Sequence, residues 1–317
     1  MKPADAELID VLPEPVARFV REQPDDDLSG LTVVERRRYS LALADLNHVR
    51  YGRAAVDVAS VRDVTIAGVR CRLYTPDDWR GALHLHLHGG GFWAGTIDEL
   101  VTDAACRRRA RDGGVAVLAI EYRLAPEHPF PAGLHDAFAV ASASIGSDDV
   151  GLGHDPDNVS VGGVSAGGNL AAAVCVMPES PAPRLRGLLL EVPALDLSPE
   201  GLLVVPGSTE TAEYEALAVA YLGRTAASDP LASPVRADDL SSFPPTHIRV
   251  SQHDVLRGSA ETFARRLEHA GVPVTSETTE GALHGVLSLD RVWEPARRWQ
   301  DEAGRILRTW HHPEQSS

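Results

Sequence analysis

Ser165 sits in the middle of Gly163-Val164-Ser165-Ala166-Gly167. An apolar, β-branched run from Val159 leads into it, and an Ala- and Leu-rich stretch, Ala166–Met177, follows. A strand that turns sharply into a helix leaves no room for side chains beside the turn, so glycines flank it. The apex residue is then held in strained backbone geometry with its hydroxyl in the open. That hydroxyl also lies at a helix N-terminus, where free N–H groups and the helix dipole favour developing negative charge. A nucleophilic serine is one reading. On these residues alone, a Gly-rich βα turn that holds a phosphate, or nothing, fits equally well.

A second stretch, Leu85-His86-Leu87-His88-Gly89-Gly90-Gly91-Phe92-Trp93, ends a strand in three glycines. Such a loop lets the backbone approach a ligand and turn its amides inward. Acyl transfer needs those donors, because charge collects on the carbonyl oxygen as the carbon becomes tetrahedral. His-Gly-Gly-Gly beside an elbow serine supplies half of an oxyanion hole. A rival lies in the same strand. His84, His86 and His88 alternate onto one face, which is ligand-like spacing for Zn²⁺, although polar strand-end histidines are the plainer reading and no metal is expected.

A nucleophilic serine needs a base, and the base needs an orienting carboxylate. In a sheet of this kind both belong on loops after later strands, in the order serine, acid, histidine. Asp254 follows the strand-like Thr246–Val250, and His284 follows Val272–Thr278. Of 13 histidines, only His284 lies after the last expected strand and before the last expected helix. Asp196, Asp229 and Glu261 compete with Asp254 for the acid's place.

The elements that must position these residues alternate. Asp57–Val64 and Val69–Tyr74 read as a hairpin around Ala67-Gly68. Strands are then expected at Ala82–Leu87, Val115–Glu121, Val159–Gly162, Leu185–Val192, His247–Ser251 and Val272–Thr278. Helices are expected at Glu99–Asp112, Leu134–Ser144, Ala166–Met177, Glu210–Leu222, Ser259–Ala270 and Trp293–Trp310. Strands as apolar as Val115–Ile120 are buried on both faces, as in a mostly parallel sheet covered by helices. Residues 1–50 read as helical, with Ala6–Val20 broken by Pro13 and Pro15 and a second helix over Val33–Val49.

The chain has 317 residues, 44% hydrophobic, and a net charge of −15, which argues against nucleic acid or an anionic membrane as partner. The clusters Arg36–Arg38 and Arg107–Arg111 read as solvated helix faces pairing with carboxylates. Three scattered cysteines suit a reducing compartment, and no leader is visible at Met1–Glu7. No apolar run reaches the roughly 18–20 residues of a membrane span. A cytoplasmic protein is expected.

Taken together, the motifs resemble the hormone-sensitive-lipase-like (bacterial family IV) carboxylesterases of the α/β-hydrolase fold. The resemblance rests on His88–Gly91, Tyr122–Ala132, Gly163–Leu170, Asp229–Pro234, Asp254–Arg257 and His284-Gly285, in that order. It implies Ser165 as nucleophile, His284 as base and Asp254 as its partner. It implies oxyanion donors from Gly90, Gly91 and Ala166, on a loop that includes His88 and Gly89. Apart from the resemblance, Trp93 directly after that loop is a pocket-lining candidate, a core tryptophan being the equal alternative. It implies cap helices over residues 1–50 and a cap insert near 198–225 on a catalytic domain over 51–317. The substrate class is a small-molecule ester of short to medium chain, no cofactor is needed, and a homodimer is left open. An amidase or lactonase with the same triad and a non-catalytic receptor on the same fold are the alternatives. Two positions depart from the pattern: Val164, where an acidic or small polar residue is usual, and Val255, where proline is usual. The Tyr122–Ala132 marker reads as structural, with Arg123 and Glu127 tying it to its neighbours.

Overall fold

The computed structural model of the chain describes residues 8–146, 150–208 and 210–315. The reading of Met1–Glu7, and the first two residues of the helix expected at Ala6–Val20, lie outside them.

The apolar runs form the middle of one eight-stranded sheet in the order β1-β2-β4-β3-β5-β6-β7-β8. The strands are β1 (Ser60–Ile66), β2 (Val69–Thr75), β3 (Leu83–Leu87), β4 (Ala116–Ile120), β5 (Val159–Val164), β6 (Leu188–Glu191), β7 (Thr246–His253) and β8 (Val274–Leu283). β1 pairs antiparallel with β2, and β2 antiparallel with β4; every pairing from β4 to β8 is parallel. The mostly parallel sheet expected from the sequence is therefore present.

Period-two alternation divides the core. Leu83, Leu85 and Leu87 of β3 join Ala116, Leu118 and Ile120 of β4 in the main cluster. Helices α4 (Ala132–Ser144), α5 (Ala166–Val176) and α7 (Arg257–His269) cover that face. Val117 and Ala119 point the other way, into a cluster with Cys106 and Ala110 of α3 (Leu100–Gly113) and Ala303 and Leu307 of α8 (Glu294–His311). His84 and His86 share that second face, since β3 side chains alternate.

The order reverses between β3 and β5: β3 leads outward to β4, and β5 leads to β6 on the opposite side. Open α/β sheets bind ligands at such a switch point, outside the carboxyl ends of the strands. The glycine loop follows β3, and Ser165 follows β5.

Two helices precede the sheet, α1 (Glu14–Arg21) and α2 (Val33–Tyr51), and α6 (Glu210–Leu222) follows β6. Pro13 is the N-cap of α1 and Pro15 lies in its first turn, where a missing N–H costs nothing, so the prolines open this helix rather than break it. Thr32 and Glu35 form a reciprocal capping box at the start of α2. β8 is longer than expected. A register irregularity opposite Ser251 and His253 keeps the chain in the ladder to Leu283, so His284 follows the strand directly instead of standing several residues into a loop.

Candidate active site

Ser165 has φ 55° and ψ −117°, a positive-φ conformation that costs a non-glycine residue on the order of 1–3 kcal/mol. Its N–H donates to the carbonyl of Glu191 at 2.9 Å, which anchors the turn to β6. The glycine at 167 is required by close approach, since a Cβ there would lie 2.2 Å from the carbonyl oxygen of Leu87.

His284 Nε2 lies 2.9 Å from Ser165 Oγ. Its Nδ1 lies 2.8 Å from Asp254 Oδ2. Asp254 is 1% exposed, and its other oxygen accepts the Leu256 N–H at 2.8 Å. A carboxylate only accepts, so Nδ1 carries the imidazole proton and Nε2 presents a lone pair to the serine. The ring of Tyr214, from α6, meets the His284 ring edge-on at 5.4 Å. The competing acids are occupied elsewhere. Asp196 pairs with Arg236, Asp229 accepts the Leu231 N–H, and Glu261 pairs with Arg257.

The glycine loop runs alongside. Gly90 has φ 120°, and a Cβ there would lie 2.1 Å from the Ala94 carbonyl oxygen. The N–H groups of Gly90 and Gly91 reach no backbone acceptor among the described residues. Ala166 opens α5, so its N–H has no intrahelical partner. The loop is braced from behind. Tyr122 Oη donates to the His88 carbonyl at 2.8 Å, its ring stacks on His88 at 4.3 Å, and His88 Nδ1 faces the Gly89 carbonyl at 2.7 Å. Burial holds the His88 ring below the ordinary histidine range.

A protein-family model described as the alpha/beta hydrolase fold matches residues 84–288. The chain is 34% identical over 250 residues to the carboxylic ester hydrolase LipN of Mycobacterium tuberculosis, a match spanning 72% of this chain and 65% of LipN. It is 32% identical over 240 residues to the carboxylesterase NlhH of the same species, covering 70% and 72% of the two chains. An esterase from Pyrobaculum calidifontis superposes with a TM-score of 0.81 at 29% identity, over 93% of this chain and 98% of that one. The chain belongs to the alpha/beta-hydrolase fold family, in its hormone-sensitive-lipase-like branch.

Two cavities open on Ser165 in this α/β-hydrolase. The smaller is mostly apolar, walled by Phe92, Ala194, Leu197, Leu202, Ala218 and Leu256, with Asp196 and Glu215 also in its lining. The larger, about 520 Å³, takes in His284, Trp93 and residues of α1, α2 and α3. Gly91, Ser165, Tyr214 and Leu217 belong to both. Among the described residues, no three His, Cys, Asp or Glu side chains gather as a metal group. His84 Nδ1 is instead bonded to Ser160 Oγ at 2.9 Å.

One sequence reading of this α/β-hydrolase is corrected. The Arg107–Arg111 cluster is not a solvated face throughout. Arg109 is 1% exposed, bonded to a Glu191 carboxylate that also accepts the Trp299 indole N–H at 2.8 Å. The signal was available: Arg109 falls on the stripe of Cys106, Ala110 and Gly113, and Glu191 closes the buried run Leu188–Leu190. The first basic cluster is partly engaged too. Arg37 donates to the carbonyls of Trp93 and Ala125 and pairs with Glu127. Arg123 pairs with Asp136, so both expected ties of the Tyr122–Ala132 loop are present. All three cysteines are buried and free, and no helix among the described residues is long and apolar enough to cross a membrane.

Proposed function

We propose that this α/β-hydrolase is a serine carboxylesterase acting through an acyl-enzyme. The observation that carries the reading is the unbroken hydrogen-bonded chain from Asp254 through His284 to Ser165. Ser165 Oγ adds to the ester carbonyl carbon while His284 Nε2 takes its proton. Asp254 holds the ring in the tautomer this needs and steadies the imidazolium. The amides of Gly90, Gly91 and Ala166 receive the oxyanion, each donor contributing about 3 kcal/mol to the transition state. As the intermediate collapses, the C–O bond breaks and His284 returns the proton to the departing alcohol. Water, deprotonated by the same imidazole, then adds to the acyl-enzyme; the acyl C–Oγ bond breaks, His284 returns the proton to Ser165 Oγ, and the acid leaves.

Which cavity takes which half of the substrate follows from the proton. The leaving oxygen must lie on the imidazole side, and His284 walls only the larger cavity. The alcohol half therefore belongs there, and the acyl half toward the narrow apolar pocket. In this reading α1, α2 and the segment near 198–225 act as a cap, since Phe19, Asn47, Tyr214 and Leu217 wall the cavities.

The test is Ser165→Ala. Turnover of para-nitrophenyl butyrate should fall on the order of a million-fold, with the circular dichroism spectrum and thermal midpoint retained. Turnover persisting in the folded variant would refute the assignment.

A further inference from the structure

A single peptide unit ties the turn at Ser165 to the far half of the sheet. The carbonyl of Glu191 accepts the Ser165 N–H at 2.9 Å, and the N–H of the next residue, Val192, donates to the Arg249 carbonyl on β7 at 2.8 Å. Val192 has φ 43°. That left-handed conformation crowds a β-branched side chain against its own backbone, and such residues persist only where their surroundings over-determine them. Relaxing this φ turns the Glu191–Val192 peptide plane. Both of its hydrogen bonds go with it, and Ser165, itself at φ 55°, loses that anchor.

The groups that hold the plane lie on the face of the sheet away from α5. The Glu191 carboxylate accepts from Arg109 of α3 and from the Trp299 indole N–H of α8, the latter at 2.8 Å. Trp299 also shares an apolar cluster with Val192 and Leu287. The Arg249 guanidinium lies over its ring, 5.3 Å from the centroid. As a source of stability the Arg109–Glu191 pair is poor. Taking two charges out of water offsets most of their attraction, and Arg109 Nε and Nη1 have no hydrogen-bond partner among the described residues. Two apolar side chains would fill the same space without that cost. What they would not supply is direction: a carboxylate bonded from two helices fixes the orientation of the residue whose carbonyl holds Ser165.

We propose that Glu191 is a positioning residue for the nucleophile, with Arg109 and Trp299 as its clamp. The inference rests on the serine-esterase reading, which gives Ser165 that role. The clamp touches neither substrate nor reacting atoms. It maintains the strained turn that sets Ser165 Oγ 2.9 Å from His284 Nε2.

The test is the double variant Arg109→Leu/Glu191→Leu, which removes both charges together and strands neither. If the pair only held the fold, the folded variant would keep its kcat. The expected result is a retained urea midpoint with kcat for para-nitrophenyl butyrate at least about tenfold lower and KM little changed, since misplacing a reacting group by about 1 Å costs up to about a hundredfold. Wild-type kcat in the folded double variant overturns the proposal. Trp299→Phe, which removes the indole N–H and keeps a ring, decides the matter if the double variant does not fold. A kcat several-fold lower at unchanged KM upholds the clamp, and an unchanged kcat overturns it. Hydrogen exchange at the Ser165 amide, scaled to the amides of β4, reads the clamp without turnover. It should be at least about tenfold faster in the folded variant, as local opening of the turn becomes easier. Faster exchange in a chain that hydrolyses no ester leaves the clamp standing and sinks the esterase reading alone. An unchanged scaled rate overturns the clamp whatever the turnover.

Discussion

Asp254 is as important for what it prevents as for what it stabilises. With both oxygens accepting, from Leu256 N–H and His284 Nδ1, it allows one imidazole tautomer. Asp254→Asn keeps the shape and reverses the preference, because an amide can donate to Nδ1. The expected result is a fall in kcat of about 10⁴ with KM little changed, read by steady-state kinetics on a soluble aryl ester. The departures at Val164 and Val255 leave this chain of bonds intact. Val164 packs against Val192, Leu287 and Trp299, and Val255 is buried beside Ala194 and Leu256. Glu99 offers a second measurement at this scale. Burial pushes its carboxyl from the usual 4.5 up to about 7. Between those values the folded chain keeps a proton that the unfolded chain has released, so stability falls as pH rises through that window and levels off above it. In Glu99→Gln, urea midpoints measured across the window should lose that part of the slope; an unchanged slope would assign it to other groups.

Helix α2 is where a surface element reaches the chemistry. Arg37 is its bolt, tying the helix to the carbonyls of Trp93 and Ala125 and to Glu127. Arg37→Ala should raise KM several-fold, speed amide exchange in α2 and cost about 1–3 kcal/mol of stability. Faster exchange with unchanged KM would mean that the helix does not shape the binding cleft. The elements around the site were legible because their signals were local: glycines at two turns, and apolar runs too continuous for a solvated face. What was not legible depended on partners far away in sequence. Pairing with β7 carries β8 past Thr278, through Thr279, Glu280 and Gly281. Taken alone, that polar stretch ending in a glycine reads as a turn, and Gly281 does adopt φ 69° within the strand. Arg109 was legible only in part: its place on the stripe of Cys106 and Ala110 marks the buried face, but the Glu191 carboxylate on β6 that meets its charge, itself bonded by Trp299 of α8, is not announced by its own helix.

At the scale of the whole molecule, the account is one of convergence. Ser165, Asp254 and His284 stand 89 and 30 positions apart along the chain, and they meet because β5, β7 and β8 are parallel and end on the same side of one sheet. The glycine loop joins them because β3 lies beside β5 at the reversal of strand order. Such an arrangement has one chemical signature that a binding protein on the same scaffold lacks: a serine hydroxyl activated well beyond its ordinary reactivity. The direct measurement is intact-protein mass spectrometry after brief exposure to an alkyl organophosphonate, followed by peptide mapping. One adduct per chain, on Ser165, with none in Ser165→Ala, is the predicted result. A wild-type chain that stays unmodified, or an adduct on another residue, would contradict it.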